Sequence, residues 1–192
     1  MRKIQIGKLY LLLVGTTYFF SVFATHTVWA GDLPRCHSRP CLFSLEIGPS
    51  YMTHYNLKRV NSTPPAAFLA EIRPGYWIEY FLEVYGIGGA DLNATTYEAG
   101  GGLRIPFATF HFSTFFIETF SLNLNVEVLW YHTAEALSPY EYKNQGLLFR
   151  YGGSIAFHPQ KSRTFFELSG VATYFSSNFF VAPFAGVGFF IF

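Results

Sequence analysis

Charge is what this chain has least of. Asp, Glu, Lys and Arg make up 13% of its 192 residues, about half the ~25% of an average soluble domain, and that is too little to solvate the surface of a domain this long. A basic surplus is missing as well. Thirteen Lys+Arg against 12 Asp+Glu offer no clustered basic face for a phosphate backbone, so no nucleic acid is expected as a partner. After Cys41 no run of 18 apolar residues occurs, so no helix of that part of the chain spans a bilayer. Also absent are a Walker-type Gly-Lys-Ser/Thr run, an H-E-x-x-H pair and a calcium loop. No metal and no cofactor are expected.

What is present is aromatic: 20% of the residues, with 23 Phe and 13 Tyr. Glu and Arg are scattered too often for a helical membrane protein. The class that remains hides its polar groups inside and shows apolar ones outside, and a membrane β-barrel is that class.

The N-terminus reads as an address. Arg2, Lys3 and Lys8 precede the apolar "LYLLLVGTTYFFSVFA", and Val28 and Ala30 stand before Gly31 where signal peptidase needs small or aliphatic residues. Residues 1–30 are therefore expected to be removed. A membrane anchor over Leu9–Ala30 is the rival, since that stretch is uncharged and long enough to span, but Thr16, Thr17, Ser21, Thr25, His26 and Thr27 thin its apolar density. Loss of the leader takes Lys+Arg from 13 to 10 against 12 Asp+Glu, a formal charge of −2. The only two cysteines, Cys36 and Cys41, follow in "GDLPRCHSRPCLF". In an exported chain they are expected to form a disulfide closing a short periplasmic arm over residues 31–41. A metal site using His37 lacks further ligands nearby, and a haem site lacks the C-x-x-C-H spacing.

From residue 42 onward, polarity alternates at period two, the signature of strands. In "AAFLAEIRPGYWIEYF", Leu69, Glu71, Arg73, Gly75, Trp77 and Glu79 share one parity, and Phe68, Ala70, Ile72, Tyr76, Ile78 and Tyr80 the other. "YEAGGGLRIPF" and "QGLLFRYGGSIAFH" repeat the arrangement around Glu98 and Arg104 and around Arg150 and His158. Candidate strands fall at about 42–54, 66–80, 82–91, 96–107, 113–132, 145–158, 163–175 and 179–192. Their number is even, as single-chain bacterial barrels require. Connections alternate: almost none between the second and third strands, "ATFHF" and "PQKS" on the same side, longer "YNLKRVNSTPP", "DLNATT" and "TAEALSPYEYKN" on the other, although the last there, "FSSN", is short. That is the rhythm of short periplasmic turns and longer outer loops. The final "GVGFFIF", ending on Phe190 and Phe192, resembles the C-terminal signal strand that the barrel assembly machinery recognises. Together with "GGGLRIPF" and the meander rhythm, residues 42–192 resemble the small eight-stranded outer-membrane barrels of the OmpA, OmpX and OmpW-like superfamily. The resemblance implies an all-β, eight-stranded antiparallel up-and-down transmembrane barrel in the bacterial outer membrane. It also implies outer-membrane lipid, lipopolysaccharide and the assembly machinery as partners.

The expected inward set is Glu46, Glu71, Arg73, Glu79, Glu83, Glu98, Arg104, Glu127, Arg150, His158 and Glu167, with Asn123 and Asn125 among them. Glu118 is out of step with Asn123, Asn125 and Glu127, which predicts a β-bulge near Thr119–Ser121. So many inward carboxylates could form a cation path or a proton-linked site. Eight strands, however, enclose little more than their own side chains, which favours a plug of salt bridges. Aromatics near strand ends (Tyr76, Trp77, Tyr80, Phe81; Phe107, Phe110, Phe112; Trp130, Tyr131; Tyr174, Phe175) read as interfacial girdles.

Acyl hydrolysis of lipid A needs a Ser, a His and an orienting acid at the outer rim. His132, Glu135 and Ser138 lie in one outer segment and His54 in "THYN", which resembles the His-Tyr-Ser-Asn run of lipid A deacylases but lacks its serine. No catalytic residue is assigned. The expected role is structural or interactive at the envelope for a monomeric barrel with short loops, with a lipid A-modifying enzyme and a narrow solute pore as alternatives.

Overall fold

The computed structural model describes residues 26–28, 35–36, 39–40, 43–56, 66–78, 82–92, 95–111, 117–133, 144–159, 162–175 and 178–191. Eight long strands follow the alternating segments: β1 Phe43–Asn56, β2 Ala66–Ile78, β3 Leu82–Ala90, β4 Tyr97–His111, β5 Ile117–His132, β6 Gln145–Pro159, β7 Thr164–Phe175 and β8 Asn178–Ile191. Each pairs antiparallel with the next, and β8 pairs with β1 through Ile191↔Phe43 to Asn178↔Asn56, which closes the ring. The fold is an all-β, eight-stranded antiparallel up-and-down transmembrane barrel, the architecture of the small outer-membrane barrels. Among the described residues no helix is long and apolar enough to cross a membrane; the strands do the crossing.

Alternation places the two faces. On β2, Leu69, Glu71, Arg73, Gly75 and Trp77 are buried while Phe68, Ala70, Ile72, Pro74, Tyr76 and Ile78 are exposed. Phe68 is 72% exposed and Phe149 64%, whereas Arg73 and Arg150 are each 1% exposed. Such an inverted protein is stable only where its surroundings are apolar. Aliphatic residues such as Ile47, Ile72, Leu124, Val126 and Leu168 occupy the middle of the outer face. Aromatic pairs lie toward both rims: Tyr51–Phe68 and Tyr97–Trp130 at one, with centroids 4.8 and 5.5 Å apart, and Phe43–Tyr76 and Phe120–Phe157 at the other, at 4.9 and 5.1 Å. These are two girdles bounding an apolar band. Trp77 and Tyr131 do not belong to them, because both turn inward and are buried.

The bulge sits elsewhere than the sequence suggests. In β5 the register with β6 skips Glu118, between Ile117↔Pro159 and Thr119↔His158. Odd residues from Thr119 to Tyr131 then face inward without a break, and Glu118 stays exposed near the rim. A second irregularity skips Phe107 of β4 between the pairs Pro106↔Asn123 and Ala108↔Leu122. It re-phases the strand so that Thr109 turns inward, while Phe107 keeps the outward face of Leu103 and Ile105. "ATFHF" is consequently strand as far as His111 rather than a connection, and the β4–β5 link moves to 112–116.

Upstream of the barrel, Arg35–Cys36 pairs with Arg39–Pro40. Cys41 and the Cys36 side chain lie outside the described residues, and the disulfide with them. His26–Val28, within the expected leader, pairs with Thr109–His111 of β4.

If the outer face meets lipid, a charge near its middle must be costly. Leu168→Arg, at a 55% exposed site on β7, should lower unfolding free energy in lipid vesicles by about 2–4 kcal/mol. Denaturant titration with tryptophan fluorescence reads this, and an unchanged midpoint would contradict a lipid-facing Leu168.

Candidate functional site

The barrel interior is arranged in layers along its axis. One end carries the connections 57–65, 91–96, 133–144 and 176–177; the other carries the start of β1, the end of β8 and the links 79–81, 112–116 and 160–163. Below the first, the loop end, an apolar cluster of Met52, Leu69, Ile87, Leu129, Tyr131, Leu148 and Phe180 fills the lumen, with Tyr85 at its base. Sequence alternation already put Leu69 on the ionisable face. Apolar residues on that same parity gather at the loop end of most strands.

Beneath the apolar layer lies the ionic network. Arg150 donates Nε–H to Glu127 Oε2 at 2.8 Å and Nη1–H to Glu98 Oε2 at 2.9 Å. Arg73 donates Nε–H and Nη2–H to Glu71 Oε2 at 2.9 and 2.7 Å, and its Nη1 lies 3.8 Å from Glu127 Oε1. Glu127 thus joins the two arginines and also accepts the Tyr85 hydroxyl at 2.9 Å. The Arg73 guanidinium stacks on the Phe184 ring, 3.7 Å from its centroid. One step toward the termini, Arg104 gathers three carboxylates: Glu46 at 2.7 Å, Glu83 at 2.5 Å and Glu167 at 2.8 Å. Ser44 donates to the other oxygen of Glu83 at 2.5 Å.

Burial of a charge is costly unless it is paired and hydrogen-bonded, and each of these groups is both. Glu46, Glu71, Arg73, Glu83, Glu98, Arg104, Glu127, Arg150 and Glu167 all converge in this network and are at most 3% exposed. Glu79 lies outside the described residues. Tyr85, Ser44 and Phe184 are members that charge patterning alone does not reveal; Tyr85 shares the parity of Glu83, which is the available signal.

Space is made by missing side chains. A Cβ on Gly102 would lie 2.6 Å from Tyr85 Cζ and 3.0 Å from Glu127 Cγ, so the Tyr85–Glu127 hydrogen bond crosses the place where any other residue would project. Gly188 likewise lies under the ring of Phe165. The register explains both: Gly102 is paired to Tyr85 and Glu127, and Gly188 to Phe165. Eight strands enclose just enough room for their own side chains, so a large inward residue needs a small one beside it.

Toward the termini the lining becomes small and polar. Asn123 donates to Ser154 Oγ at 3.1 Å. A cavity of about 30 Å³, space for a water or two, is bordered by Trp77, Arg104, Thr109, Thr119, Ser121 and Asn123, among others. His158 stacks on Phe165 and Phe190 at 5.4 and 5.5 Å, and Phe165 meets Phe190 in a tilted contact at 4.7 Å. Phe190, one of the two residues of the expected assembly signal, therefore points inward, while Phe189 and Ile191 face outward; Phe192 lies outside the described residues. At the loop end His132 stacks on Tyr97 at 4.8 Å. Glu135 and Ser138 lie outside the described residues, and no cluster of three or more metal-binding side chains occurs among the described ones.

No protein-family model matches this chain, and no curated protein does. Several solved structures are similar to it. The attachment invasion locus protein Ail of Yersinia pestis, in complex with the heparin analogue sucrose octasulfate, shares 11% identity over 77% of this chain and 96% of that one, with a TM-score of 0.40. Neisserial surface protein A shares 10% over 78% and 97%, at 0.45. The N-terminal β-barrel domain of Pseudomonas aeruginosa OprF shares 14% over 76% and 97%, at 0.40.

The two kinds of charge in the network should differ in their sensitivity to substitution. Six glutamates face three arginines, so Arg104→Leu strands Glu46, Glu83 and Glu167 and should cost about 3–5 kcal/mol, whereas Glu98→Gln keeps an acceptor for Arg150 and should cost about 1 kcal/mol or less. Denaturant midpoints of the refolded variants read the difference; equal losses would contradict this account. Gly102→Val should also destabilise the barrel, by about 1–3 kcal/mol, and a Tyr85→Ala change in the same chain should recover part of that loss.

Proposed function

We propose that this protein is a bacterial outer-membrane barrel with a structural or interaction role at the envelope, and that its lumen does not conduct. The observation that carries the reading is the filled interior. An apolar layer of seven side chains lies over a hydrogen-bonded Glu/Arg layer in which every arginine holds at least one carboxylate within 2.9 Å. A cation path would need carboxylates presented to water along an open route. Here each of the six carboxylates has at least one oxygen on a guanidinium, and the largest aliphatic side chains of the lumen stand between them and the loop end. The outer band of aliphatic residues between aromatic girdles supports residence in a bilayer, with outer-membrane lipid and lipopolysaccharide as the surrounding partners, the barrel assembly machinery as the route of insertion and a monomer as the unit. The leader expected over residues 1–30 supports export to that membrane.

Two measurements test this. Detergent-refolded protein should migrate differently on SDS gels when boiled and unboiled, and the difference should vanish when 178–191 are deleted, since β8 closes the ring. In planar bilayers the folded protein should give no stable single-channel steps; regular steps would replace the sealed barrel with a narrow pore.

A further inference from the structure

The charges of the lumen do not balance. In the layer beneath the apolar cluster two guanidiniums, Arg73 and Arg150, meet three carboxylates, Glu71, Glu98 and Glu127, and all five residues are at most 2% exposed. Arg104, the next cation along the axis, is held by three carboxylates of its own. Fully ionised, the Arg73–Arg150 layer would carry one negative charge in excess. Burying a charge without a partner is so costly that the group takes up a proton instead.

The hydrogen bonds show which carboxyl has room for that proton. Glu127 receives donors on both oxygens, Tyr85 on Oε1 at 2.9 Å and Arg150 on Oε2 at 2.8 Å. Glu98 takes Arg150 on Oε2 at 2.9 Å and more loosely on Oε1 at 3.4 Å. Glu71 receives both of its Arg73 bonds on Oε2, and its Oε1 is buried with no hydrogen bond. Besides the arginines, the Ser50 hydroxyl and the Glu98 carboxyl stand beside Glu71. A hydroxyl is neutral and leaves the charge count as it is.

Gly89 brings the two carboxyl groups together. It is the register partner of Glu71 on β2 and of Glu98 on β4. A Cβ on Gly89 would lie 2.9 Å from Glu71 Cγ and 3.2 Å from Glu98 Cγ, so both side chains lean over the same glycine from opposite sides. Two carboxylates that share one site do not both keep their charge.

We infer that Glu71 and Glu98 form a proton-binding pair, with one proton held between Glu71 Oε1 and Glu98 Oε1. The layer then carries two positive and two negative charges. The proton comes from water as the barrel folds, and it belongs to the pair rather than to either residue. The inference rests on the sealed lumen of the reading above, because an open lumen would hydrate the excess charge.

Infrared spectra of the folded protein in lipid vesicles at neutral pH test the pair, since a neutral carboxyl group absorbs apart from carboxylates. The difference between wild type and Glu98→Gln should contain one neutral-carboxyl band, and the difference between wild type and Glu71→Gln the same band, because either substitution equalises the charges and releases the proton. Gly89→Ala keeps every glutamate but sets a methyl group between the two, and should move that band. No neutral-carboxyl band in either difference, bands at distinct positions in the two, or a band that Gly89→Ala leaves in place would each overturn the pair. Heat-dependent gel mobility of each variant shows that its spectrum comes from closed barrels. Regular channel steps from the wild type would remove the sealed lumen; silent bilayers without the band would remove the pair alone.

Discussion

The structure depends on one constraint: a backbone that crosses an apolar medium must satisfy its own N–H and C=O groups, because no water is there to do so. A single sheet cannot meet that demand at its two edges. The pairing of β8 with β1 removes both edges at once, and it explains why the last segment of the chain is as apolar and regular as any other. Val187, Phe189 and Ile191 meet the surroundings while Phe184 and Phe190 pack inside. The irregularities of the ladder respect the same constraint. They fall at Phe107 and Glu118, both near the terminal rim, where displaced backbone groups are close to water rather than to lipid.

Closing only eight strands sets a second condition, on volume. The interior must take every inward side chain, and it does so by pairing large with small across the ladder, as Gly102 sits between Tyr85 and Glu127 and Gly188 beside Phe165. Because little space is left beyond a cavity of about 30 Å³ beside Arg104, the charges within it are matched chiefly by one another. Three guanidiniums, each with several directed donors, are suited to this. Arg104 reaches carboxylates from β1, β3 and β7, and so ties together strands far apart around the ring. Buried ion networks are weak evidence for stability in themselves; here their consequence is geometric, since each arginine joins carboxylates of other strands or of its own.

The two ends of the barrel differ in what they can do. At the loop end, apolar packing seals the lumen and leaves the outer rim to girdle aromatics such as Tyr97 and Trp130. At the terminal end the lining is Asn, Ser and Thr, a small cavity reaches Arg104, and the wall rises unevenly on the β4–β6 side.

Much of this was legible in the chain itself. Period-two alternation with scattered Glu and Arg on one parity determined the strands, which face of each is charged and therefore that the protein is inverted, because side-chain direction in a strand depends only on position parity. Eight such segments with alternating connections determined the meander. Tertiary structure alone decided the rest. Parity states that Arg104 faces inward but not that it meets Glu46, Glu83 and Glu167, since those partners come from strands whose register is set only when the ring closes. Nor does parity separate the apolar layer of Leu69, Leu129 and Leu148 from the ionic layer beneath it, because depth along the axis depends on the stagger between strands. The bulge at Glu118 instead of Thr119–Ser121 and the continuation of β4 to His111 were decided in the same way: local patterning specifies a face, and only the closed, staggered ring specifies a neighbour.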